Sequence, residues 1–258
     1  MITIKNLAPK ASVVLIIILG FFVYANSLGG GFLWDDDWLI KNNTHIRDFL
    51  HPLSIFTENR WTNTARSFHF YRPPQILSYM LDYSLWRLDV RGYHLTNIIL
   101  HILTALGVYQ LISMLFNDRL LAALSGILFT VHPIHTEAVS YISGRADPLS
   151  LFFMLAGLIL YIRSLAAGSS KSYLFALLSY MAALLSRESS IVFPLVLALY
   201  HYTFKRKVEP KRFLPVAVIT SLYIIHRFTV SRDLLPTFIG NSTTLFERIP
   251  GFFMALSS

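Results

Sequence analysis

The chain has no cysteine among its 258 residues, which excludes disulfides, thiolate metal sites and cysteine nucleophiles and leaves the compartment to be read from topology. It is also poor in charge. Only 14% of its residues are Asp, Glu, Lys or Arg, against about 25% in soluble globular chains, so neither a soluble enzyme nor a disordered tail fits. Low-complexity tracts and internal repeats of roughly 30 to 50 residues are missing too, which removes solenoids and repeat arrays.

What it has in excess is apolar surface. Apolar residues make up 54% of the chain and mean hydropathy is +0.54, concentrated in runs such as SVVLIIILGFFVY and LAALSGILFTV. They recur about as often as bilayer crossings would. The composition predicts an all-α polytopic membrane protein. Apolar stretches at 12–28, 95–116, 120–135, 149–167, 172–185, 191–204 and 213–228 predict about seven transmembrane helices. The fifth and sixth fall short of the roughly 20 residues a perpendicular crossing needs and also read as a re-entrant hairpin. Either reading leaves the sidedness of every other loop unchanged.

A net charge of +8 would point to nucleic acid in a soluble chain, but here the densest basic cluster, Lys205, Arg206, Lys207, Lys211 and Arg212, lies between two apolar runs. Cytoplasmic loops carry their charge there, and no nucleic-acid partner is expected. With Lys5 and Lys10 inside, the outer side receives the long loop 29–92, the segment 132–147 and the turn at Arg187 and Glu188. All but Asp118 and Glu209 of the 14 acidic residues then face outward. The chemistry is expected on that face, periplasmic in a bacterial inner membrane or luminal in the ER. The first apolar run also has the make-up of a signal peptide, and its cleavage would leave this sidedness intact. Residues 1–232 read as one membrane module and 233–258 as the truncated start of a following membrane region.

Four stretches carry candidate chemistry. Asp35, Asp36 and Asp37 stand between Trp34 and Trp38. Adjacent carboxylates repel, which raises a pKa or calls for a cation. The run suits a general base, a Mg²⁺, Mn²⁺ or Ca²⁺ site of unknown metal, or simply a solvated acidic turn. HPIHTEAVSYISGRAD, at 132–147, places two histidines, Glu137, Arg145 and Asp147 where a span meets the outer surface. It lacks HExxH spacing, so zinc is a weak reading. Ionisable groups at membrane depth usually face a cavity. YRPP, at 71–74, precedes an amphipathic stretch with Ile76, Leu77, Met80, Leu81, Leu85 and Leu88. That pattern predicts a helix in the outer interface with its apolar face in lipid and Arg72 at its entrance for an anionic group. Finally, Asn97 and His101 read as interhelical hydrogen-bonding groups, and Arg187 as a cation for a phosphate or for Glu188.

In this order the motifs resemble the transmembrane and tetratricopeptide-repeat O-mannosyltransferases, lipid-donor glycosyltransferases of the GT-C fold. FLWDDDWLIKNN at 32–43, YRP at 71–73, HLTNIILH at 94–101, HPIHTEAVSYISGRAD and SRES at 186–189 carry the resemblance. It covers most of 32–194 and only the family's N-terminal membrane module. Asp37 adds a third acid to the family's pair, Arg187 replaces a usual lysine and Pro74 a usual leucine.

The resemblance implies a GT-C type bundle of about seven helices whose extracytoplasmic first loop carries interfacial helices. It implies a polyprenyl or dolichyl phosphate sugar as donor and a protein hydroxyl as acceptor. Asp35 or Asp36 would be the catalytic base, with Asp36 preferred. Arg72, Arg145 and Arg187 would hold the phosphate, and Glu137, Asp147 and Glu188 would share the donor site. Displacement would invert the anomeric carbon. No resident cofactor is implied; the lipid-linked sugar is a substrate. The alternatives are a noncatalytic scaffold, which has no need for acids and arginines converging from separate loops, a lipid-phosphate-sugar binding module, and a transporter of lipid-linked sugars, which would place its charges near the midplane.

Overall fold

The computed structural model describes residues 9–47 and 72–232; Tyr71, the middle of the long loop and the segment 233–258 lie outside the described residues. Regular structure among the described residues is helical throughout. The chain divides into two compact units, Met1–Ala217 and Val218–Ser258, and the first contains every candidate site residue.

Helix α1 (Pro9–Tyr24) runs on through a 3₁₀ turn, Ala25–Gly29. Helix α2 (Pro73–Trp86) starts with proline, which costs a helix nothing at its first turn, and stops at Arg87, whose φ of 54° is left-handed. Helices α3 (Val90–Phe116) and α4 (Arg119–Val131) form a hairpin closed by Asn117 and Asp118. The Asp118 carboxylate accepts the N–H groups of Leu120 and Leu121 at 2.9 and 3.0 Å, a side-chain N-cap. The short α5 (Thr136–Ser140) and a 3₁₀ turn, Ile142–Arg145, lead into α6 (Ala146–Ala167). Gly168, at φ 64°, and Ser169 reverse the chain into α7 (Ser170–Ser186). A turn at Glu188–Val192 then starts α8 (Phe193–Thr203), and α9 spans Pro210–Arg232.

Among the described residues, three stretches are long and apolar enough to cross a bilayer: Pro9–Gly29, Val90–Phe116 and Ile142–Ala167. At 1.5 Å per residue α3 is about 40 Å long, but α4 is about 20 Å and α7 about 25 Å, less than the roughly 30 Å of hydrocarbon. The first, second and fourth expected spans therefore reach full length; the third, fifth and sixth are shorter, and α9 opens with Lys211 and Arg212 and carries Pro215 inside it.

Small residues let these helices approach. A β-carbon on Gly20 would stand 2.4 Å from Ile102 Cγ1, and one on Gly126 2.7 Å from Ile16 Cδ1, so α1 sits directly against the α3–α4 hairpin. In lipid, where apolar burial gives helices no reason to associate, such packing and interhelical hydrogen bonds hold them together. His101 Nε2 meets the Thr130 carbonyl at 3.0 Å, and Ser150 and Ser190 share a hydrogen bond of 2.5 Å. Asn97 and His101 thus each bond across to another element, as expected of them.

The α2 helix departs from its expected place. Ile76 and Met80 do not face lipid but pack with Tyr79 against Ile40, Ile46, Tyr93 and Ile142. Leu81, Leu85 and Leu88 remain exposed. The apolar residues occupy more than one face of a 3.6-residue turn, and the first loop folds back to cover one of them.

Alternating helix directions sort the connections by end. Segments 25–47, 132–147 and 187–192 gather at one end, where Asp36 meets Ser143 and Asp147 meets Arg187. The turns at 117–118, 168–169 and 204–209 fall at the other, where Phe116 and Phe204 are in ring contact at 6.0 Å.

Candidate functional site

The three consecutive acids point three ways. Asp37 starts a π-helical turn, Asp37–Lys41, and pairs with Lys41 at 2.8 Å one turn on. Asp36 turns inward and is 1% exposed. Its Oδ2 accepts the Leu33 N–H at 2.9 Å, and its Oδ1 accepts the Ser143 N–H at 2.9 Å together with the Ser143 hydroxyl. Asp35 points outward and is exposed; its N–H donates to the Tyr141 hydroxyl at 3.2 Å. Burial pushes the Asp36 carboxyl above the usual aspartate range. The bonds from Leu33 and Ser143 pull it back, and the nearby Asp35 charge pushes it further up.

Trp34 creates this divergence. Its φ is 46°, a left-handed conformation that bulky side chains avoid. The indole is 79% exposed and touches only the edge of Tyr141, with ring centroids 5.7 Å apart. Strain of this kind collects at functional sites. Trp34→Gly should therefore raise thermal stability, by about 1 kcal/mol from the relieved left-handed penalty, because little buried contact is lost. A melting temperature below wild type would show that the indole packs more than it strains.

Arg145 is not placed as the resemblance implies. It is wholly buried, at 0% exposure. Its guanidinium pairs with Asp82 at 2.5 Å and donates to Asn97 Oδ1 at 2.6 Å, the Tyr93 carbonyl at 2.9 Å and Ser78 Oγ at 3.1 Å. The Tyr79 ring lies over it at 4.7 Å. Held on every side, Arg145 ties α2, α3 and the turn 142–145 together. Asn97 extends the tie by donating to the Val139 and Tyr141 carbonyls at 3.1 and 3.2 Å. The Tyr79 hydroxyl, pushed up to about 12 by burial, donates to the Ile142 carbonyl at 3.1 Å. Sequence reasoning missed Asp82, Tyr79, Tyr141 and Ser143. A signal for two of them existed: Gln75, Tyr79 and Asp82 stand at i, i+4 and i+7, a polar stripe on a helix otherwise read by its leucines.

The other named residues meet beside this knot. Arg72 pairs with Glu188 at 3.1 Å, joining the start of α2 to the turn after α7. Arg187 pairs with Asp147, at the start of α6, and not with its neighbour Glu188. Glu137 is exposed, and with Arg72 it acts electrostatically on Asp147. Both ion pairs are partly exposed, unlike that of Arg145. Below Asp147 opens a cleft of about 340 Å³, walled by Phe129, Leu151, Met154 and Val192, with His101 and His135 on one side. Among the described residues, no three His, Asp or Glu side chains converge as metal ligands.

No family model and no solved structure matches the chain. Curated proteins do. Protein O-mannosyl-transferase TMTC1 of Homo sapiens is 37% identical over 204 residues, 72% of this chain and 23% of that protein. Protein O-mannosyl-transferase F38B6.6 of Caenorhabditis elegans is 32% identical over 194 residues, 73% of this chain and 28% of its own length. The chain is a relative of the TMTC protein O-mannosyl-transferases. Another of them, TMTC2 of Homo sapiens, is 32% identical over 76% of the chain. The chain spans about a quarter of the length of these TMTC proteins.

Proposed function

We propose that this chain forms the extracytoplasmic-facing donor module of a seven-helix, GT-C type glycosyltransferase. It moves a mannose-like sugar from a polyprenyl or dolichyl phosphate to a hydroxyl of a protein acceptor. The observation that carries the proposal is the presence, at one end of the helices, of an exposed Asp35 and of two partly exposed arginines, Arg72 and Arg187, from three separate segments. The names of the relatives support glycosyl transfer to protein. The basic turns at the opposite end support this sidedness.

The chemistry suits those residues. Asp35 takes the proton of the acceptor hydroxyl as its oxygen bonds to the anomeric carbon. The bond from that carbon to the phosphate oxygen breaks, and polyprenyl phosphate leaves with the electron pair. The transition state is oxocarbenium-like, and attack from the face opposite the phosphate inverts the carbon. Arg187 and Arg72 exchange Asp147 and Glu188 for phosphate oxygens and tighten as the leaving group gains charge. Buried Asp36 positions Asp35 through Leu33 and Ser143; buried Arg145 positions the 141–147 segment. The acid that reaches substrate is thus Asp35 and not the expected Asp36, because both oxygens of Asp36 are already engaged. No step runs through a divalent cation.

The test is a titration of the full chain, in lipid nanodiscs, with a short-chain polyprenyl phosphate mannose. Wild type should bind saturably. Arg187→Ala and Arg72→Ala should each weaken binding about tenfold or more, the loss of one charge-assisted contact. Equal affinity in all three proteins would remove the arginines from the donor site.

A further inference from the structure

At the end of the helices opposite the acids, α3, α6 and α8 leave a second cleft, of about 380 Å³. Leu115, Ile162, Leu165 and Phe204 give it apolar walls, and Arg163 and Arg206 also line it. No acid lines it. The two acids at this end are committed elsewhere: Asp118 caps α4, and Glu209 pairs with Arg212 at 2.8 Å. Arg163 and Arg206 are exposed and show no ion pair among the described residues.

The rim of this cleft is built. Lys205, at φ 48°, ends α8 in a left-handed conformation and sets the direction of Arg206. The Arg206 N–H donates to the His201 carbonyl at 3.0 Å, and its own carbonyl accepts from His201 Nδ1 at 3.2 Å. That bond fixes the tautomer, leaving His201 Nε2 to accept from the Tyr161 hydroxyl at 2.9 Å. Both His201 and Tyr161 are buried. A chain of buried hydrogen bonds from α6 through α8 thus holds the backbone that carries Arg206.

We propose that this cleft binds one anionic glycerophospholipid of the inner leaflet. Its phosphate sits between the two guanidinium groups and an acyl chain lies along the Leu115, Ile162, Leu165 and Phe204 walls. Basic pockets between membrane helices on the cytoplasmic side recognise such headgroups. Helices α3, α6 and α8 have their C-terminal ends here, a partial negative charge that opposes an anion. One arginine is therefore too little, and both are needed. A soluble phosphate would have no use for the apolar walls, which is why the occupant is a lipid. The inference takes only its sidedness from the proposed function: it involves the other end of the helices and none of the donor-site residues.

Native mass spectrometry of the full chain released from mild detergent, titrated with phosphatidylglycerol, phosphatidylcholine and inorganic phosphate, tests it. One equivalent of phosphatidylglycerol should bind. Phosphatidylcholine should bind about tenfold more weakly, and millimolar phosphate should not displace the anionic lipid. Arg163→Gln and Arg206→Gln should each lose about tenfold in affinity. Without lipid both variants should melt cooperatively at the wild-type temperature, which shows that they fold, while phosphatidylglycerol should raise the melting temperature of wild type alone. Equal binding of the two lipids, displacement by phosphate, or variants that bind and shift like wild type would each overturn the assignment.

Discussion

Arg145→Met should destabilise the protein by about 3–5 kcal/mol, the cost of leaving one member of a buried ion pair without its partner. Asp82 is 1% exposed and would lose the guanidinium 2.5 Å away. Asn97 Oδ1, the Tyr93 carbonyl and Ser78 would lose a donor in the same step. Arg145→Lys should rescue little, because an ammonium cannot reach all four acceptors in the planar fork that guanidinium provides. Asp82→Asn in the Arg145→Met background should recover part of the loss, since the stranded charge is then gone. Chemical denaturation in detergent, followed by circular dichroism, reads all three variants. If Arg145 instead gripped the donor phosphate, Arg145→Met would keep wild-type stability and lose only donor affinity. That result would return it to the binding site.

The contrast between Arg145 and Arg187 shows where the sequence stops being informative. Both are arginines beside acids at the outer ends of apolar runs, and nothing local separates them. What separates them is Asp82, 63 positions before Arg145 in the chain, on a face of α2 that only the folded first loop covers. Asp35 and Asp36 pose the same problem. Which of two adjacent aspartates turns inward depends on the left-handed backbone of Trp34 and on Ser143, 107 residues away. By contrast, the helical class, the α3 and α6 spans and the polar ends of the bundle were legible, because hydropathy and capping are local. Asp118 and Gly168 mark their turns in the sequence itself. Span length was legible only where apolar runs and helix ends coincide. The stretch 120–135 read as one span because Pro133 and Ile134 continue its hydrophobicity, whereas α4 stops at Val131. His132 then caps the next turn by accepting the Ile134 N–H at 3.2 Å.

Asp35→Asn should lower kcat for sugar transfer by about 10²–10⁴-fold, the usual contribution of a positioned general base. It should leave donor affinity and stability close to wild type. Asp35 is exposed, and it is held through its backbone N–H, which asparagine keeps. Asp36→Asn should behave differently. Its carboxylate accepts three hydrogen bonds through both oxygens, and an amide keeps only one accepting oxygen, its NH₂ then facing an N–H donor. Transfer and stability should therefore fall together. A pH profile adds a second separation. Burial holds Asp36 above the usual 3.8, so it takes up a proton at a higher pH than a solvated aspartate would. The acidic limb of the wild-type rate should accordingly lie above 3.8, and because a raised folded-state pKa makes that protonation favour the native state, stability should rise, not fall, as pH drops through the same range. Rates measured on the complete protein with a lipid-linked mannose donor decide the assignment. If Asp35→Asn transfers as fast as wild type while Asp36→Asn is inactive and stable, the buried acid is the one that meets the acceptor, and the first loop must open to let it.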